Sequence, residues 1–405
     1  MRKMWMFLEP YSFIFEGKQG YIIYNTLNGE IVKSYNTKII NDIIRSIKQS
    51  NRYGISIEEN LLKDKSVLHF IKDLRETFTG DIINIEEMGH APFVFKPVLD
   101  LLNNPFRNED IKENPFDKEE VVKYLHEVTL YLGGTCIHNC EQCINLYKQT
   151  TFCTNQTCDN VLTKTDYENL FIHLATIGLK NVKLIINDLG SSSTIEIISL
   201  MNLYELYPDV YINYMNFKIG SFNRLCSSVK INSLNILVNK QLNKNIKEIP
   251  QAANWIFLVD AEDTLLKVNS FIEAEGINAK IVPIYTKKNI TFFENFVYTT
   301  FDDLKSQVLS KKEVFAKQIL NETMFGKLYI MADGMVFANL NRKSLGNIKI
   351  NSLNELIHKE LLSKDSWLFT RNYGKCSNCV YKYLCPSPSN YELFMGNLDL
   401  CTIVD

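Results

Sequence analysis

The stretch VTLYLGGTCIHNCEQC, residues 128–143, decides how the chain is read. A β-rich apolar run, VTLYL, stops at two glycines. Cys136, Cys140 and Cys143 then follow in a C-x3-C-x2-C spacing. Zinc sites usually close with four N or S ligands, often in two pairs. A run of three thiols with no local fourth partner suits a cubane [4Fe–4S] cluster, which three thiolates can hold while one iron stays open. His138, inside the loop, reads as solvent-facing. The bland alternative is three fortuitous core thiols, which such tight clustering disfavours.

Outward from this loop, the chain alternates strand and helix. Strands are expected at 128–132, 182–186, 210–215, 233–238, 255–260 and 280–285. A helix at 166–177 would have Thr165 and Glu168 as a capping pair and Tyr167, Leu170, Phe171 and Leu174 on its apolar face. Ser193 with Glu196 would cap the next helix. Leu265, Leu266, Val268 and Phe271 would face inward on a helix at 262–275. Strand–helix repeats of this length imply right-handed βαβ crossovers and a parallel sheet. Six strands are too few for a closed eight-stranded barrel, so the fold class is α/β, an open partial (βα)6 barrel. The cysteine loop follows the first strand, at the end where parallel barrels build their sites.

The chain before residue 103 reads as a small α+β module, residues 1–102. Residues 20–33, GYIIYNTLNGEIVK, read as a hairpin turning at Asn28-Gly29. Helices are expected at 37–49 and 66–78. The charged, Pro-bearing stretch 103–124 reads as a linker. The barrel region is assigned to 125–300 and a cysteine-rich tail to 325–405.

Ten cysteines, mostly in two groups, argue for two sites rather than scattered core thiols. The second group is Cys376, Cys379, Cys385 and Cys401. Cys153 and Cys158 read as local thiols without cofactor, and Cys226 as a core residue. The formal net charge of −2 gives no basic field for nucleic acid or a membrane surface. There is no apolar run of about 18 residues and no signal peptide, so a cytoplasmic protein without a membrane span is expected.

The strand, the C-x3-C-x2-C loop and the six βα units, over about residues 125–290, resemble the radical S-adenosylmethionine (SAM) enzymes. The resemblance implies that Cys136, Cys140 and Cys143 bind a [4Fe–4S] cluster whose free iron takes SAM. Three features depart from the family. Gln142 stands where an aromatic residue usually precedes the third cysteine. LIINDLGSSS, residues 184–193, lacks the Gly-Gly-Glu that holds the SAM amino group, leaving Asp188 as a candidate carboxylate. No glycine-rich adenine motif follows the strand at 255–260, where LVDAEDT stands.

The tail, C376-x2-C379-x5-C385 with Cys401 beyond a gap, resembles the SPASM domain of peptide-modifying radical SAM proteins. Ser389 replaces one expected cysteine, and ADGMVFANL…LGNIKINSLNELI, residues 332–357, carries none of the upstream ones. The resemblance implies one auxiliary [4Fe–4S] cluster on Cys376, Cys379, Cys385 and Cys401 and one cluster lost. A structural zinc on the same four thiolates stays open, because spacing alone does not separate the two metals.

The stretch FIFEGKQGYIIYNTLNGEIV is similar to a PqqD-like domain, which binds a leader peptide by adding it to a sheet edge; a structural cap is the competing reading. The whole layout is most similar to the pseudo-radical-SAM proteins of GG-leader peptide systems of Bacteroidales-type bacteria. This implies an accessory of ribosomal peptide maturation, holding one or two [4Fe–4S] clusters. Its partners would be the precursor's leader and a companion radical SAM maturase. The alternatives are an active maturase that cleaves SAM to a 5′-deoxyadenosyl radical, and a zinc-stabilised binding module.

Overall fold

The computed structural model describes residues 3–18, 20–34, 37–97, 117–133, 143–153, 161–239 and 249–403, with backbone only for 143–145. Of the residues singled out from the sequence, Cys136, His138, Cys140, Gln142 and Cys158 lie outside the described residues, while Asp188 and 117–124 of the expected linker lie within them.

Two three-stranded antiparallel sheets form the first part of the chain. One has the order β5 (Gly54–Glu58), β1 (Lys3–Leu8), β6 (Gly80–Asn84). The other has the order β2 (Ser12–Gly17), β3 (Gly20–Asn25), β4 (Ile31–Lys33). Helices α1 (Lys38–Gln49) and α2 (Lys65–Glu76) cover them. Ile40, Ile43, Ile44 and Ile47 recur at helical spacing on α1 and are buried, which is why that stretch is a helix and why it packs inward. Asp64 caps α2, accepting from the Ser66 and Val67 amides. A single turn, α3 (Ile85–Met88), follows.

The β3–β4 connection differs from the expected Asn28-Gly29 two-residue turn. Residues 26–30 form a wider loop, closed by the Gly29 amide on the Asn25 carbonyl at 2.8 Å, and only Gly29 takes a positive φ, +80°. Asn28 instead uses its side chain, donating to the Thr77 carbonyl at 3.0 Å.

The main sheet has nine strands. Six are parallel, each beside the next in chain order: β7 (Glu127–Tyr131), β8 (Asn181–Ile186), β9 (Asp209–Asn213), β10 (Ser233–Val238), β11 (Asn254–Val259) and β12 (Ala279–Pro283). Their positions match the expected runs closely. Helices α4 (Cys143–Thr150) and α5 (Lys164–Thr176) follow β7. Then come α6 (Ser192–Leu203) after β8, α7 (Ile219–Ser228) after β9 and α8 (Glu262–Glu275) after β11.

The caps fall elsewhere than expected. Thr163 and Asp166 form the capping box of α5, and Ser191, accepting from Thr194, caps α6. Leu266 of α8 is 59% exposed; Val268, Phe271 and Ile272 make the packing face instead. Cys226 is exposed on α7, not in the core. Part of the expected linker is ordered: Val121 is buried in the main core and Lys118 pairs with Glu355 at 3.1 Å.

Helices α9 (Ile290–Val297), α10 (Phe301–Ser306) and α11 (Lys311–Ile319) lead to three further strands. β13 (Lys327–Ile330) lies parallel to β7 and covers what would be its bare edge; β14 (Met335–Phe337) and β15 (Gly346–Asn347) follow antiparallel. The sequence reading assigned this stretch to the tail alone. α12 (Leu353–Ser363) and α13 (Asn390–Met395) complete the chain.

Strand alternation gives the sheet two apolar faces. Val128, Leu184, Ile212, Ile236 and Phe257 pack under the helices, while Tyr131, Ile185, Tyr211, Leu237, Ile256 and Tyr329 form a cluster on the other face. Burial lowers the pKa of the Lys327 ammonium; Glu127 opposes the shift, and Lys183 and Lys280 add to it.

Candidate metal centre

Two places were expected to hold a cluster. At the first, Cys143 opens α4, while Cys136 and Cys140 lie outside the described residues. The surrounding chain is visible on both sides. Gly133, with φ +75°, turns the chain out of β7, and the Asn187 amide donates to its carbonyl at 3.4 Å. Asp188, the candidate for SAM, closes its own turn: its Oδ1 accepts from the Gly190 amide at 2.8 Å. The residue at the end of β8 that bonds Gly133 is Asn187, one position earlier. Strand alternation could have found it, because Ile185 and Asn187 share a face.

The segment after Cys143 crosses the inner face of the sheet. Gln149 donates to the Tyr285 carbonyl at 3.0 Å and accepts from the Tyr285 amide at 2.9 Å, tying α4 to the chain just beyond β12. The Tyr131 hydroxyl donates to the Thr151 carbonyl at 2.6 Å. Phe152 stacks on Tyr211, ring centroids 4.9 Å apart and nearly coplanar at 3°. Cys153 is buried in the same cluster, which fits a local thiol.

At the second place all four cysteines are visible. A 3₁₀ turn, Gly374–Asn378, carries Cys376, and the Cys379 amide closes onto the Cys376 carbonyl at 3.1 Å. The Tyr381 amide donates to the Cys379 sulfur at 3.4 Å. Cys385 is buried. Cys401 is brought back by a parallel bridge to Thr299. Burial pushes the Cys385 thiol up to about 12; Cys401 and Cys376 add to the shift, and Arg371 and Lys317 oppose it. Burial likewise raises Cys376, with Arg371 opposing and Cys401 adding.

Arg371 organises this neighbourhood. Its side chain is 10% exposed and pairs with Glu392, 2% exposed, at 2.8 Å. It also donates to the Pro386 carbonyl at 2.5 Å, the Leu398 carbonyl at 3.3 Å and the Cys376 sulfur at 3.8 Å. Lys317 of α11 donates to the Cys385 carbonyl at 3.2 Å and pairs with Glu322 at 2.7 Å.

Among the described residues, no three His, Cys, Asp or Glu side chains are gathered closely enough to enclose a metal ion. The chemistry of the tail's donor set nonetheless fits one. Four thiolates around a divalent zinc, or around a cluster with a core charge of two, carry net charge −2. Arg371 and the Tyr381 amide donate to two of these sulfurs, while the charges of Arg371 and Lys317 are themselves paired with Glu392 and Glu322.

No family model matches the chain, and no curated protein matches it in sequence. Among solved structures it is similar to the crystal structure of E. coli MccB, at 12% identity over 98% of this chain and 89% of that one, with a TM-score of 0.17. A likeness at that score carries no argument about fold or function. Among the described residues no helix is long and apolar enough to cross a membrane.

Proposed function

We propose that this chain is an accessory protein of ribosomal peptide maturation, with a metal centre on Cys376, Cys379, Cys385 and Cys401. The observation that carries the reading is buried Arg371, which donates to the Cys376 sulfur, to the Pro386 carbonyl next to Cys385 and to the Leu398 carbonyl three residues before Cys401. The centre is an auxiliary [4Fe–4S] cluster in this reading, and a zinc would use the same donors. A second [4Fe–4S] cluster would sit on Cys136, Cys140 and Cys143, at the mouth of an open partial (βα)6 barrel. The strand order supports the barrel, and residues 325–405 make the SPASM-like tail.

The accessory role is preferred to an active SAM-cleaving maturase because of what fills the inner face. The Gln149–Tyr285 pair and the Phe152–Tyr211 stack place side chains across the sheet next to the cysteine loop. The N-terminal module, residues 1–102, would take the leader of a precursor peptide at a sheet edge, and a companion radical SAM maturase would do the chemistry. Both faces of the β2–β3–β4 sheet are covered, so capture there is left to its edges.

The test is SAM cleavage by the anaerobically reconstituted protein with a strong reductant. No 5′-deoxyadenosine, with iron bound, is the expected result. Its appearance, and its loss in Cys140→Ala, would establish the maturase instead.

A further inference from the structure

The β2–β3 hairpin is hooked to the turn that spaces two of the tail cysteines. The Lys18 amide donates to the Asn378 carbonyl at 3.0 Å. A Cβ on Gly17 would stand 2.5 Å from the Val380 side chain, 2.7 Å from the Asn378 carbonyl oxygen and 2.8 Å from the Val380 amide. Asn378 and Val380 flank Cys379, so only glycine lets the hairpin come this close. Behind the hook, Phe13 meets Phe315 edge-on at 5.7 Å and Phe15 meets Tyr383 at 5.7 Å. Tyr24 accepts from the Leu309 amide at 2.7 Å, and the Lys33 ammonium sits 4.2 Å over the Phe301 ring. The β2–β3–β4 sheet and the cysteine tail share one apolar cluster, although about 280 residues or more separate them in sequence.

We propose that metal occupancy of the tail and the order of the β2–β3–β4 sheet are thermodynamically linked, so that the N-terminal module senses the state of the metal centre. The inference rests on the tail metal centre proposed above. Ligation of Cys376 and Cys379 fixes the 376–380 turn, and that turn is the seat of the hairpin. Linkage is reciprocal: whatever pins the sheet, such as a peptide added at its edge, tightens metal binding by the same factor. A peptide-loaded chain therefore holds its metal more firmly than an empty one.

The test uses the full chain carrying Cys136→Ala, Cys140→Ala and Cys143→Ala, so that the tail is the cysteine site under study. Zinc is titrated into the metal-free protein against a colorimetric chelator. Gly17→Ala, which forces the hairpin off its seat, should weaken zinc binding about five-fold or more. Gly220→Ala, where an added Cβ meets nothing within 4 Å, should leave it unchanged. Hydrogen exchange on the unsubstituted N-terminal sheet should slow when zinc is bound, a readout that survives if Gly17→Ala misfolds. Equal affinities in the two variants, or exchange over 12–33 that ignores zinc, would overturn the linkage while leaving the metal centre standing. Zinc binding that persists undiminished in Cys376→Ala and Cys385→Ala, or its absence altogether, would overturn the centre and the linkage with it.

Discussion

The two cysteine groups differ in how the chain carries them. The first lies on one loop, and the visible support around it gathers on one face of the sheet: Gln149 on Tyr285, Tyr131 on Thr151, Phe152 on Tyr211. The second is spread over residues 376–401, and its support also comes from the N-terminal module. The hairpin at 17–18 seats on 378–380, Thr299 holds Cys401, and Arg371 reaches Pro386, Glu392 and Leu398. A site on one loop can be lost or retuned by local change. A site assembled from distant segments is tied to the stability of the whole.

That contrast is tested most severely at Arg371. Replacing it with Met leaves Glu392 buried without its cation, a loss of about 3–5 kcal/mol in urea unfolding. A change under 1 kcal/mol would mean that the ion pair does not knit the tail. Next comes Tyr24→Phe, which strands the buried Leu309 amide. The expected cost is about 1–3 kcal/mol, and it should appear with faster hydrogen exchange in both β2–β4 and 309–319. Exchange confined to one of these would separate the sheet from the tail.

At the mouth the effects are smaller. Gln149→Ala removes both bonds to Tyr285 and should cost about 1–2 kcal/mol, without altering exchange in the tail. A loss there as large as that of Arg371→Met would erase the difference between the regions.

Glu360 of α12 lies beside neither group and sets a background for both. It is 1% exposed, and burial pushes its carboxyl from the ordinary 4.5 up to about 7, against the Ser366 and Trp367 amides that donate to it. A folded-state pKa raised above the unfolded one gives stability that is fully present below about 4.5 and lost as pH rises through 7. Glu360→Gln should flatten that part of the stability–pH curve. An unchanged slope would mean that Glu360 does not titrate there.

The parallel strands were legible because buried β-runs such as NILV and WIFLV stand between helical patterns, and periodicity survives without tertiary information. The two cysteine groups were legible because cysteine clusters are rare. The residues that surround the second group were not. Nothing in the sequence around residue 371 marks an arginine that will be buried among sulfurs, and Gly17 is unremarkable until Val380 arrives beside it. β13 was missed for a similar reason: its four residues, KLYI, form a strand because β7 offers an edge. The caps at Thr163 and Ser191 were displaced by two residues because Ser and Thr are frequent there and several could accept the same amides.

The most direct measurement is the metal and sulfide content of the chain purified without oxygen, compared across two variants. With a metal centre on the tail, Cys376→Ala with Cys379→Ala should strip that metal and lower the unfolding temperature, since ligation there contributes folding free energy. Cys136→Ala with Cys140→Ala and Cys143→Ala should leave the tail's metal in place. Full metal content and an unshifted unfolding temperature in the tail variant would contradict the centre, and with it the role proposed for this protein.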